Sequence, residues 1–309
     1  MGTPDFSVNA LNAIAKSGHN IQLVVTQPDR PKGRGRKITP SPVKTAGQDL
    51  GIEIFQPEDI NLQKIIKKLK SLEPDFFVVV AFGQKLSQEV LNIPRIYPIN
   101  IHASLLPCYR GSSPIQAAIA NMDKTTGVTT MVMDKELDKG DILLSSKIII
   151  GHNETFETLH NKLSNLGGKL ICQTLTAISK DNIIPIPQNH KKASYAPMLK
   201  KSDGKINWEE SSEKICAKIR AMTPWPGAFT YLNNTILKIF KAEPIKETRP
   251  KTVPGAIIES ADNELHVGSG NGIVNIIELM GKSGKRLKAQ DFLRGHQIKQ
   301  GSKFNTNDS

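Results

Sequence analysis

From the N-terminus to about residue 180, short apolar runs alternate with longer amphipathic stretches, and that alternation narrows the fold more than any other feature of the chain. Ile21–Thr26 (IQLVVT), Phe76–Ala81 (FFVVVA) and Ile99–Ile101 are apolar on both faces, as strands covered on both sides must be. Between them, positions 62, 65, 66, 69 and 72 form a helical stripe with lysines on the other face, and residues 154–179 continue such a pattern, weakened at Gly167–Gly168. A mostly parallel sheet wrapped by helices, a doubly wound α/β domain over residues 1–181, satisfies this order.

Residues 182–201 contain prolines at 185, 187 and 197 and no periodicity, which predicts a linker. After it come a helix near Ser211–Ala221 and then FTYL, ILKIF, GAIIES, ELHVGSG and GIVNIIELM. Short strands at that spacing predict a small all-β barrel or sandwich over residues 202–309, with the GSGNG at 268–272 as a hairpin turn.

The longest apolar run, Phe76 to Phe82, is far short of the roughly 20 residues that cross a bilayer, and the first twenty residues carry no secretory pattern. No membrane association is expected, and a cytoplasmic location is. Cys108, Cys172 and Cys216 stand far apart, and the seven histidines form no ligand spacing, so no metal is expected. Cys108 reads as a small buried or half-buried thiol and Trp225 as a core or interdomain anchor. Charge is less neutral: 41 Lys and Arg against 29 Asp and Glu leave +12, which suits a polyanionic partner. Six cations and no carboxylate lie between Arg30 and Lys44.

Three polar residues stand out. Asn100 and His102 sit two apart at the end of an apolar strand, on one face, where open α/β sheets bind ligands. Asp141 closes the turn LDKGD between two β-type runs. An amide, an imidazole and a carboxylate without a Ser or Cys nucleophile suit carbonyl polarisation and proton shuttling, although each could equally serve as a loop anchor.

These residues belong to longer stretches: GTPDF (2–6), TQPDRPKGRGRK (26–37), PSPVK (40–44), INIHASLLPCYRGSSPIQ (99–116), GVTTMVMDKELDKGDIL (127–143) and IRAMTPWPGAF (219–229). In content and order they resemble the methionyl-tRNA formyltransferases over nearly the whole chain. The resemblance implies a Rossmann-like formyltransferase domain followed by an OB-like domain. It implies formyl transfer from 10-formyltetrahydrofolate to the amino group of methionyl initiator tRNA, by a monomer that binds no DNA. By position, Asn100 and His102 would bind the formyl oxygen and Asp141 would orient His102 and move a proton. Ser104, Leu105, Leu106 and Pro107 would bind folate, and Arg30, Lys32, Arg34, Arg36 and Lys37 the tRNA acceptor arm, Arg34 foremost. A formyltransferase for a small amine, or an inactive truncated RNA-binding relative, are the competing readings. The family's opening strand, ahead of GTPDF, has no counterpart before Gly2. The expectation is either a start upstream of Met1 or a truncated form of low stability.

Overall fold

The computed structural model describes residues 1–33, 35, 37–233, 235–245, 252–259, 264–296, 298 and 301–305. The chain divides into two compact units, Met1–Pro114 with Thr125–Ile149 and His160–Pro197, and Ile115–Lys124 with Ile150–Leu159 and Met198–Ser309.

A short 3-10 turn at Asp5–Ser7 leads the first unit into α1 (Val8–Lys16) and β1 (Val24–Val25). The basic stretch follows as a hairpin, β2 (Arg30–Lys32) and β3 (Lys37–Thr39), pairing Arg30 with Thr39 and Lys32 with Lys37. Ser41 starts α2 (Pro42–Asp49), its Oγ accepting the Lys44 N–H at 3.0 Å with Pro42 in the first turn, where no N–H is missed. β4 (Ile54–Phe55), α3 (Gln63–Ser71), β5 (Phe76–Val79), α4 (Gln88–Leu91) and β6 (Tyr97–His102) come next. The remaining elements are α5 (Pro114–Ala120), β7 (Thr125–Val132), β8 (Ile142–Ile149) and α6 (Phe156–Ser179).

The stripe foreseen on α3 is the buried one. Ile65, Ile66 and Leu69 turn inward to join Ile60, Phe77, Val79 and Val90 in one core, each large side chain contributing about 1.5–3 kcal/mol by leaving water. The glycine pair in α6 does not weaken it. A Cβ on Gly168 would stand 2.8 Å from the Asn9 carbonyl, so its absence lets the helix lie close against α1. Ser164 on the same helix donates to the Phe6 carbonyl at 2.8 Å and accepts from the Asn9 amide at 2.9 Å.

β1 pairs in parallel with β4, and β5 with β6, whereas β7 and β8 continue from β6 as antiparallel strands. Among the described residues, Met1 and Gly2 bridge β1 and β5. The Met1 amine donates to the Val78 carbonyl at 2.7 Å, Val80 N–H to the Met1 carbonyl at 2.9 Å, and Gly2 N–H to the Val25 carbonyl at 3.0 Å. Beside them opens a cavity of about 310 Å³, bordered by Ile21, Leu23, Phe76, Val78 and Leu175 among others. That cavity leaves Phe76 and Val78 half-buried although the sequence makes both faces of β5 apolar.

Residues 182–197, expected as a linker, are seated in the first unit. Ile186 exchanges two 2.8 Å backbone bonds with Ile142, Ala196 N–H donates to the Arg110 carbonyl at 2.7 Å, and the Gln188 side chain is buried.

In the second unit, Ser211 caps α7 (Ser212–Met222). β9 (Ala228–Leu232), β10 (Thr235–Ile245), β11 (Ile257–Glu259), β12 (Leu265–Gly268) and β13 (Ile273–Met280) form an antiparallel sheet in the order β11-β12-β13-β10-β9. β14 (Arg286–Lys288), which pairs with β13, and α8 (Ala289–Gly295) had no clear sequence signal. The residues at 268–272 turn β12 into β13 as expected, with Ser269 N–H on the Gly272 carbonyl at 3.1 Å. Register shifts along β10 curl the sheet. Residues 301–305 then touch both edges: Ile257 N–H donates to the Ser302 carbonyl, and Asn305 exchanges bonds with Tyr231. With this segment bridging both edges, the sheet curls into a half-barrel consistent with an OB-like domain. Phe304 plugs it, 5.6 Å from the Trp208 ring, whose Nε1–H donates to Thr230.

Two expectations are corrected. Cys108 is exposed, and Trp225 is 51 % exposed rather than an anchor. The buried thiol is Cys216, pushed up to about 12 by desolvation.

Candidate active site

β6 ends in a buried run, Ile99 and Ile101 facing one way, Asn100 and His102 the other. Pairing with β5 and β7 fixes the strand on both sides, so the separation of the two polar side chains is set by the backbone alone. The Asn100 amide is half-buried and makes no hydrogen bond within the described residues. His102 is buried at 6 % exposure. Its Nε2 lies 2.9 Å from the Tyr109 carbonyl, which fixes the ring, and its Nδ1 lies 3.7 Å from Asp138 Oδ2. At that distance Nδ1 feels the carboxylate without being consumed by a hydrogen bond to it.

The carboxylate at His102 is therefore Asp138, and the assignment of Asp141 to that place is corrected. Both lie in LDKGD, three residues apart, and backbone geometry separates them. Asp138 has φ +52°, a left-handed turn position that Asp tolerates, and its buried side chain folds back to accept the Gly111 N–H at 2.7 Å. Asp141 already leads into β8. Its carbonyl accepts the Val132 N–H at 2.9 Å, and its side chain is not within ion-pair distance of His102.

The segment 104–111 wraps the site. Ser104 is fully buried, its Oγ donating to the Cys108 carbonyl at 2.5 Å and its carbonyl accepting from Thr129 Oγ1 at 2.7 Å. Leu106 N–H donates to the same Thr129 oxygen, and the Pro107 carbonyl accepts from Ser194 N–H. The polar groups of Ser104 thus hold the loop itself, leaving Leu105 and Pro107 half-buried and Cys108 exposed. Gly111, at φ +113°, passes so close to Ala196 that a Cβ would lie 2.5 Å from its carbonyl oxygen.

Sequence reasoning missed Arg110 and Gln188. Arg110 is 1 % exposed and donates through Nε and Nη2 to Gln188 Oε1 at 3.1 and 2.6 Å, and through Nη2 to His190 Nδ1 at 3.0 Å. Gln188 Nε2 in turn donates to the carbonyls of Asp138 and Gly140 at 2.9 and 2.7 Å. Arg110 lies inside the CYRGSS run and could have been flagged, whereas nothing in the sequence around Gln188 marks it.

Of the basic hairpin, Arg30 and Lys37 are exposed, and Arg30 reaches Gln27 Oε1 at 3.4 Å. Lys32 lies in β2, and Arg34 and Arg36 lie outside the described residues. At the hairpin's base, hydrogen bonds from Lys44 (2.6 Å) and Gln56 (2.7 Å) hold the Asp29 carboxyl below the usual carboxylate range. Among the described residues no group of three or more His, Cys, Asp or Glu could hold a metal ion, and no helix is long and apolar enough to cross a membrane.

Residues 1–175 match the formyl transferase family model, and residues 198–297 that of the formyl transferase C-terminal domain. A methionyl-tRNA formyltransferase of Thermodesulfovibrio yellowstonii is 45% identical over 97% of this chain and 96% of its own length. One from Halothermothrix orenii is 44% identical over 98% of both, and one from Citrifermentans bemidjiense 40% identical over 100% of this chain. Among solved structures, the Helicobacter canadensis N-formyltransferase in complex with folinic acid and dTDP-3-aminofucose superposes with a TM-score of 0.66, covering 89% of this chain and 96% of its own, at 22% identity.

Proposed function

The chain belongs to the methionyl-tRNA formyltransferase family, and from that premise we propose how its residues carry the reaction. The enzyme transfers a formyl group from 10-formyltetrahydrofolate to the α-amino group of methionyl initiator tRNA. The observation that carries the residue assignment is the end of β6, where a partnerless Asn100 amide shares a face with an imidazole held 3.7 Å from a buried carboxylate. That donor set fits a formyl group, whose oxygen gains charge when an amine attacks its carbon.

The folate donor supplies the formyl carbon; the rest is the work of the chain. Asn100 Nδ2–H and His102 Nδ1–H donate to the formyl oxygen, each worth about 3 kcal/mol as charge develops there. Tyr109 holds the imidazole by its other nitrogen, and Asp138, 3.7 Å from Nδ1, accepts through water the proton that the attacking amine loses and passes it to the folate nitrogen as the bond between that nitrogen and the formyl carbon breaks. Leu105 and Pro107 offer the donor an apolar wall, with Ser104 and Leu106 fixing the loop from inside. We assign this chemistry to residues 1–181 with the seated stretch as far as Pro197, and the hold on tRNA to the β2–β3 hairpin and residues 202–309. Arg30, Lys32, Arg34, Arg36 and Lys37 meet acceptor-arm phosphates and base edges, Arg34 by its planar fork. The enzyme acts as a monomer in the cytoplasm and takes no DNA.

Formylation of methionyl initiator tRNA, with elongator methionyl-tRNA and glycinamide ribonucleotide as controls, tests this reading. The initiator alone is expected to turn over, with kcat/KM falling steeply between 50 and 200 mM salt as the release of counterions from the phosphates gains less free energy. Turnover of the small amine, or a salt-independent kcat/KM, contradicts it.

A further inference from the structure

We propose that Gln188, oriented by the buried Arg110, is a positioning residue that sets the Asp138 carboxylate against His102. The proposal rests on the role given to Asp138 above and adds a device to it.

Three consecutive residues hold the pair. Tyr109 gives its carbonyl to His102 Nε2, Gly111 gives its N–H to Asp138 Oδ2, and Arg110, between them, sends its side chain to Gln188. Gln188 Nε2 closes the ring by spending both its hydrogens on the carbonyls of Asp138 and Gly140. Such an arrangement leaves Gln188 one amide orientation. A guanidinium can only donate, so Oε1 must face Arg110, and the amino group must face the turn. For the same reason His190 Nδ1 accepts from Arg110, which places the ring's proton on Nε2.

The turn gains definition from this hold. Asp138 sits at φ +52°, a left-handed state that Asp tolerates but that its own side chain does not fix. Two buried carbonyls of that turn accept from Gln188, which is 5 % exposed, so losing its amide donors leaves each with one partner fewer. Without the amide donors the turn relaxes, and a carboxylate that moves by about 1 Å loses on the order of 10²-fold of its effect.

Gln188→Glu separates positioning from mere packing. A glutamate still accepts from Arg110 and fills the same volume, but it offers nothing to the two carbonyls. Kinetics are measured on the full chain with methionyl initiator tRNA for Gln188→Glu, Asp138→Asn and the double variant. Expected are KM values for both substrates within about twofold of parent, a kcat for Gln188→Glu about tenfold or more lower, and a double variant no slower than Asp138→Asn alone. In parallel, the His102 ring 15N resonances, read at one fixed pH, should move in the neutral Gln188→Met in the direction seen in Asp138→Asn. Losses that multiply in the double variant, a parental kcat in Gln188→Glu, or His102 ring resonances moved by Asp138→Asn but not by Gln188→Met each overturn the proposal. Should Asp138→Asn keep parental turnover, the catalytic role of Asp138 falls, while the ring resonances still decide whether Gln188 sets the carboxylate. If Gln188→Glu melts more than about 5 °C below parent, Gln188→Met is measured in its place with the same outcomes.

Discussion

The two sides of the first unit's sheet are built to different standards. From β5 to β8 each strand pairs with the next without a gap, and Asn100 and His102 sit on β6, with neighbours on both sides. From β5 toward β1 the connection is two residues and three backbone hydrogen bonds beside a cavity of about 310 Å³. The candidate site thus lies on the continuous side, while the cavity opens beside a seam whose lining includes none of Asn100, His102 and Asp138. Stability and turnover should respond to different residues.

The largest effect expected belongs to the continuous side. His102→Ala should lower kcat for formylation about 10³-fold and leave the melting midpoint within a few degrees of parent, since the ring's bonds are local to the site. A variant that melts early in proportion to its lost activity would break the comparison.

A smaller effect is expected from Ser7→Ala. It deletes the 2.6 Å bond from Ser7 Oγ to the Val80 carbonyl, leaving a buried acceptor with one partner fewer, and should cost about 1–3 kcal/mol with kcat unchanged. A change in kcat at constant stability would mean that the seam communicates with β6.

The elements that were legible in the sequence are those whose pattern is local. The α3 stripe, the apolar runs of β5 and β6, the helix after Ser211 and the hairpin at 268–272 all follow from periodicity and turn residues within a few positions. Asn100 and His102 could be read for the same reason, since alternation along one strand puts them on one face. Choosing between Asp138 and Asp141 could not be done that way. The deciding fact is a left-handed φ at Asp138 enforced by Gly111 and Gln188, one 27 and the other 50 residues away in the chain. Proline at 185, 187 and 197 likewise suggested a free linker because proline lacks an N–H. The bonds that seat this stretch come from the residues between the prolines, Ile186, Gln188 and Ala196.

The central claim, that formyl transfer runs on Asn100, His102 and Asp138, is tested most directly by comparing kcat for methionyl initiator tRNA in Asp138→Asn and Asp141→Asn. The account predicts a fall of about 10²–10³-fold in Asp138→Asn and less than about fivefold in Asp141→Asn, at similar KM. Near-parental turnover in Asp138→Asn with a large loss in Asp141→Asn would contradict it.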